Sequence, residues 1–334
     1  MAFNNSALAA TLQRREKGYT NVISSQIPTF YWFKKKGRYK SVPGGNKIEF
    51  NLEYALDSNE PSFGGYDTLP VYPSDTVQTL TANWKNYYKS IAISGEEKRI
   101  NRAEQVFKLL EQKEKNALES LQQQFNDHIY QDGTLNDGKR ITGLKAIVPS
   151  DATTGTLFGL ARSGNTFWQS YKVDTNAAAL DISDGNPVMW RDMDDLWIKC
   201  SRLKAGGISN KSPDIIICTE TYYKLYKSCG QILGQRFVNT NELDAGFTTV
   251  TFNGATMFHD EDMPADAGGD AQAYFLNSRF MELVYHPDAD FKLTETQEAV
   301  EQDAFSRKIL WMGELLCTNV RKQGIHEGVQ AVQA

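Results

Sequence analysis

The chain has four cysteines among its 334 residues, Cys200, Cys218, Cys229 and Cys317, and no two form a CxxC pair. That spacing excludes the paired-thiolate zinc motifs and a CxxC redox centre, and leaves four reduced, buried thiols as the expectation. Histidine is scarce as well: His128, His259, His286 and His326 have no ligand spacing and no HExxH. GxSxG is missing, and no cysteine has a histidine near it in sequence, so nothing supports nucleophilic catalysis. A triad assembled across the chain stays open. No run approaches the ~20 apolar residues that span a membrane. The N-terminal MAFNNSALAATLQRREKGYT lacks the apolar core of a signal peptide, and the expectation is a protein made and used in solution inside a cell. A basic excess is absent too: 36 Lys and Arg against 41 Asp and Glu give a net charge of −5. Affinity built on neutralising phosphates is therefore not expected of the whole chain, although a local basic patch can still touch nucleic acid.

What is present is globular. The chain is 40% hydrophobic and 11% aromatic, which excludes disorder for its bulk. Its length suits one large domain or two or three joined ones. Residues 1–30 are polar and mixed and read as an arm without a core of its own. FYWFKKKGRYK (30–40) sets four aromatics before five basic residues. Such a mixture can stack on and neutralise single-stranded nucleic acid. It also fits an aromatic segment docking on a core, followed by a solvated basic loop. KIEFNLEY (47–54) alternates as a half-buried strand, with Ile48, Phe50, Leu52 and Tyr54 on one side. Its expected partner lies in 75–94, across a Pro- and Gly-containing stretch of about twenty residues that reads as a projecting loop. A two-stranded flap is marginal alone, so it is expected to lie against something else, another subunit for example.

The stretch after the flap reads as a single very long helix. Ser94 and Glu97 fit a capping box. Apolar positions then recur with helical period from Ile100 through Phe125 to Ile129, with Glu114 interrupting, and there is no heptad seam. Roughly 35 residues would make a rod of about 50 Å. GTLNDGKR (133–140) matches a phosphate-binding loop except that Arg140 stands where Ser or Thr would hold magnesium. It also follows a helix and precedes ITGLKAIV (141–148), read as a strand, which is the wrong context for that loop. Further on, 186–207 reads as a helix with Met193, Leu196, Trp197, Cys200 and Leu203 inward. Residues 213–230 read as a buried strand and a helix capped by Thr219. Residues 247–264 read as a hairpin around Asn253-Gly254, and 273–287 as two short strands around Asn277-Ser278. Residues 305–324 form a last long strand, apolar on both faces and so interior to a sheet. The acidic HDEDMPADAGGD (259–270) fails the calcium-loop pattern because of Pro264, and reads as a solvated loop. An enzyme of unknown class with its site there is a further alternative, which tight metal binding lost on mutating Asp260 and Asp262 would support.

The order of these parts resembles the major capsid protein of tailed bacteriophages, whose fold is shared with the floor of herpesvirus shells. Local matches strengthen the resemblance: GGYDTLPV (64–71), ISGEE (93–97), DGT and KRITGLKAIV within 132–148, GLARSGNTFW (159–168), GQRFV (234–238), FLNSRFMELVYHPD (275–288) and QDAFSRKILWMGELLCTNVRKQG (302–324). It implies an α+β fold in four parts. Residues 1–33 would be an N-terminal arm, and 38–82 an extended β-hairpin loop lying over the adjacent subunit. Residues 83–185 and 300–328 would be a peripheral domain with a spine helix at about 95–130, and 186–299 an axial domain around the capsomer axis. It implies no enzyme, cofactor or metal. The function implied is self-assembly of hexamers and pentamers into an icosahedral shell around double-stranded DNA, in the virion and built in the host bacterial cytoplasm. Loop contacts between subunits would come from Phe63, Tyr66, Leu69, Pro70 and Tyr72, and axial contacts from Gln235 and Arg236. Arg14, Arg15 and Lys17 of the arm would face the lumen. Some relatives begin with a scaffolding extension; this chain begins near the arm, so a separate scaffolding protein is expected, with a portal, a possible decoration protein, non-specific DNA contact and no membrane. The alternative reading is a nucleic-acid-binding module using residues 30–40.

Overall fold

A computed structural model describes residues 28–54, 64–65, 77–100, 103–183, 186–202, 212–232, 249–298 and 303–330. In chain order the elements are α1 (Pro28–Lys35), β1 (Tyr39–Ser41), β2 (Ile48–Glu53), β3 (Val77–Ala82), β4 (Lys85–Ser94), α2 (Gly95–Ile100), α3 (Ala103–Tyr130) and β5 (Tyr171–Ala178). There follow α4 (Val188–Ser201), β6 (Ile215–Cys218), α5 (Glu220–Ile232), β7 (Val250–Phe252), β8 (Ala255–His259), β9 (Ala271–Leu276), β10 (Met281–Tyr285), β11 (Lys292–Leu293), β12 (Gln297–Glu298), β13 (Ala304–Cys317) and β14 (Gly324–Gln330).

Two sheets organise these elements. The first is built on β13, which is flanked by β10, β11, β12 and β4, with β1 outside β10. β4 pairs with β13 over ten residues, from Ser94 opposite Ala304 to Lys85 opposite Gly313. The second runs β7-β8-β6-β9-β14-β5. The two strands read around Asn277 thus part into different sheets. Asn277 turns the chain by accepting from Arg279 N through its side chain, while its own N–H donates to Gln323 Oε1.

The rod α3 covers one face of the first sheet. Leu118, Leu121, Phe125 and Ile129 are buried there against Ile91, Ile309 and Trp311. Glu114, the residue that breaks the apolar stripe, is 4% exposed and lies 3.7 Å from the Arg307 guanidinium on β13. The polar break is therefore an ion pair between rod and sheet. The second sheet lies between two cores. Ile215 and Ile217 of β6 face the core that holds α3, while Ile216 and Cys218 face α4 and α5. That alternation explains a strand apolar on both sides.

The long-rod expectation needs correcting at its start. The capping box forms, with Glu97 N donating to Ser94 Oγ (3.1 Å) and Ser94 N to Glu97 Oε2 (3.2 Å). Yet Lys113 Nζ sits 2.9 Å from Glu97 Oε2. Sixteen residues along one straight helix span about 24 Å, far beyond the ~10 Å reach of the two side chains. α2 is therefore not collinear with α3. The rod proper is the 28 residues of α3, about 42 Å long. The Lys113 ammonium, which also donates to Ala92 O, supplies charge that favours this arrangement.

The strand expected at 141–148 is a single helical turn, Leu144–Ile147. Ile141, Leu144, Ile147 and Val148 are all buried, at helical rather than alternating spacing. Gly143 allows the close approach: a Cβ there would collide with the carbonyl oxygens of His128, Ile129 and Gln131 at the end of α3. The phosphate-loop lookalike before it is a left-handed turn, with Asn136 and Asp137 at φ 56° and 55°.

Candidate assembly interfaces

Every interface residue expected from the sequence lies outside the described residues: Arg14, Arg15 and Lys17 of the arm, Phe63, Tyr66, Leu69, Pro70 and Tyr72 of the loop, and Gln235 and Arg236 of the axial tip. What the structure does show is how each of the neighbouring segments is rooted.

The ribbon β2–β3 is in register from Ile48 opposite Ala82 to Glu53 opposite Val77. Its root does lie against something else, and that something is this same chain: Ile48, Leu52, Leu80 and Ala82 are all buried within it. Phe50 meets Phe158 edge to face at 5.3 Å, and Tyr54 packs on Phe167 at 5.2 Å. At the root, Trp84 Nε1 donates to Gly45 O (2.9 Å).

Residues 28–33, at the inner end of the expected arm, belong to the main core. Phe30, Trp32 and Phe33 are at most 2% exposed, and the Phe30 ring packs on Tyr39, Phe125 and Phe291. Of the basic residues that follow, Lys36 pairs with Asp214, and Arg38 and Lys40 pair with Glu282. Three of the four adjacent aromatics are thus spent on the core and the half-buried Tyr31 packs against it, leaving no row of free rings on which successive bases can stack. This is the docking reading of 30–40, and it weakens the nucleic-acid alternative.

The acidic run 259–270 is not simply a solvated loop. Asp260 is 5% exposed and accepts from Tyr130 Oη (2.8 Å), Asn126 Nδ2 (3.0 Å) and Asp262 N (3.1 Å). Thr29 adds a hydroxyl 2.7 Å from Tyr130 Oη. Asp260 therefore clasps the end of the rod, the root of the arm and the second sheet together. Among the described residues no group of three or more His, Cys, Asp or Glu is arranged to hold a metal.

Two buried titratable groups lie at the joints. Glu314 on β13 accepts from Thr142 N (2.6 Å) and Leu315 N (3.0 Å), and burial pushes its carboxyl up to about 7. His326 on β14 touches Tyr222 Oη through Nδ1 and Thr175 Oγ1 through Nε2, each at 2.6 Å. Thr175 donates to Asp192 (2.9 Å), so its oxygen accepts the Nε2 proton and Nδ1 accepts from Tyr222. Burial lowers this imidazole to about 4. Sequence reading missed both groups, because nothing local marks a lone Glu or His as a joint. The cysteines are free and buried as expected. No described helix is long and apolar enough to cross a membrane.

No protein-family model and no curated protein sequence matches this chain. Solved structures do. The capsid subunit of cyanophage A-1(L) superimposes with a TM-score of 0.62 at 14% identity, over 87% of this chain and 90% of that one. The fold is that of phage capsid proteins. The capsid of Myoviridae phage XM1 follows at 0.56 and 12% identity, over 89% and 92% of the two chains. The SrpI encapsulin of Synechococcus elongatus PCC 7942 gives 0.55 and 11%, over 91% and 90%. The capsid fold thus accounts for the β13-centred sheet, its rod and the second sheet as one unit.

Proposed function

We propose that this chain is a major capsid protein of a tailed phage, self-assembling through hexamers and pentamers into an icosahedral shell around double-stranded DNA. The observation that supports the reading is mutual coverage: about nine-tenths of the cyanophage capsid subunit and of this chain share one fold. The described joints suit a tile. A rod stiffens one sheet, the clasp at Asp260 joins the second, and the ribbon root is fixed.

In this reading the segment beyond the ribbon, with Phe63, Tyr66, Leu69, Pro70 and Tyr72, lies over the adjacent subunit. Gln235 and Arg236 meet their copies around the capsomer axis. Arg14, Arg15 and Lys17 face the lumen and its DNA. Closed symmetry lets modest contacts of this kind add up. The net charge of −5 keeps the shell from binding its DNA tightly. Scaffolding protein, portal and any decoration protein are separate chains, and assembly takes place in the host bacterial cytoplasm.

The test is expression of the chain alone and with its genomic neighbours, followed by electron microscopy and sedimentation. Shells, tubes or rings of five or six subunits are expected. A chain that stays monomeric in both settings overturns the proposal.

A further inference from the structure

The tight turn at Phe158-Gly159 is occupied by the wrong residue for its geometry. It joins Leu157 to Leu160 in a two-residue hairpin, with φ of 51° at Phe158 and 84° at Gly159. Two positive φ values define a type I′ turn, which favours Asn-Gly. This same chain uses Asn-Gly for that geometry at 253–254, with φ of 47° and 85°. A bulky side chain in the left-handed region is strained. Such strain persists where the surroundings hold it and something is gained.

What is gained is a position for a ring. Phe158 stands edge to face with Phe50 of the ribbon and packs on the small cluster of Ile48, Ala82, Val284 and Leu316 that joins ribbon to sheet. The hairpin beneath it is fixed. Arg162 Nη2 donates to the carbonyls of Ala146 and Ile147, Arg162 N donates to Gly155 O (2.9 Å), and Trp168 Nε1 donates to Leu157 O (3.3 Å). A two-stranded ribbon has little stability of its own, so its direction depends on what it rests against.

We infer that Phe158 is a positioning residue, an aromatic rest that holds the β2–β3 ribbon at a set angle to its own subunit before assembly and thereby fixes how neighbouring subunits engage. The second half of this statement rests on the shell function proposed above; the first half does not.

The test replaces Phe158 by Asn, recreating the dipeptide of residues 253–254, and by Tyr, which keeps the ring. Hydrogen–deuterium exchange is followed in the unassembled full chain. In F158N the melting temperature should be unchanged or raised, because the turn is relieved, while amides of 48–53 and 77–82 exchange about tenfold faster. The fold-change corresponds to about 1.4 kcal/mol, the scale of a lost edge-to-face aromatic pair. F158Y should restore wild-type exchange. Equal ribbon exchange in F158N and wild type overturns the positioning role, whether or not the chain assembles. Accelerated exchange with wild-type shell yield and diameter overturns only the link to assembly. A wild-type chain that never forms shells counts against the shell function and leaves the exchange result to judge Phe158.

Discussion

Replacing Glu314 by Gln tests how the end of the rod is fastened to the sheet. Glu314 is 1% exposed on the central strand and holds the backbone of the 140–142 segment through Thr142 N, while Tyr87 Oη accepts from Ile141 N (3.0 Å) beside it. Burial is the largest influence on its carboxyl; the two N–H donors and Lys85 oppose it without prevailing. Its pKa rises from the ordinary 4.5 to about 7. A raised carboxyl pKa means that the folded state binds the proton more tightly than the unfolded chain. Glu314 therefore contributes its full stability below pH 4.5, and loses it as pH rises through 7. By linkage, the shift amounts to about 3 kcal/mol in all, of which about 2 to 3 falls between pH 5 and 8. Gln keeps an oxygen for both backbone donors and cannot ionise. The difference in stability between E314Q and wild type should move in favour of the variant by that amount from pH 5 to 8. For a chain of this length, unfolding entropy converts it to roughly 3–4 °C in melting temperature. Thermal unfolding of both proteins across that range is the assay. His128, whose pKa is lowered chiefly by burial, is common to both and cancels in the difference. Parallel curves would refute the argument.

Removing Glu114 should leave the Arg307 guanidinium, whose side chain is 11% exposed, without its carboxylate, at a cost of about 1–3 kcal/mol, below that of a fully buried pair; in denaturant unfolding the double variant E114A/R307M should be less destabilised than E114A, and equal losses would speak against the pair. Nitrogen NMR of His326 should find the Nε2–H form down to about pH 4. Because its pKa is depressed, its stabilising contribution is complete above about 6.5 and lost as pH falls through 4, so F in place of His326 should flatten the acid limb of the stability curve; an Nδ1–H signal would contradict the assigned bonds. Gly143→Ala should prevent the 141–148 turn from seating on the end of α3, since the obstacles are backbone carbonyls that cannot move aside, and a soluble variant with wild-type melting behaviour would show that the contact is not tight.

Most of the elements are legible along the chain. The capping box at Ser94 and Glu97, the alternation of 47–54, the Asn253-Gly254 turn, Thr219 ahead of α5 and the two-faced strand expected at 305–324, which ends at Cys317 before a turn leads into β14, are all local signals, because each is written in residues that touch along the chain. The boundary between α2 and α3 was not legible, since it depends on Glu97 reaching Lys113, which helical periodicity cannot register. The 141–148 segment was misread because β-branched residues suggest a strand until the carbonyls around Gly143 are seen. The two short strands around Asn277-Ser278 are there as read, but only the pairing of β9 with β14 and of β10 with β13 sends them into separate sheets. The roles of Glu114, Asp260, Glu314 and His326 exist solely in three dimensions. Each is a buried polar group with at least one partner more than 100 residues away in sequence, and a low-dielectric interior tolerates such a group where that partner arrives.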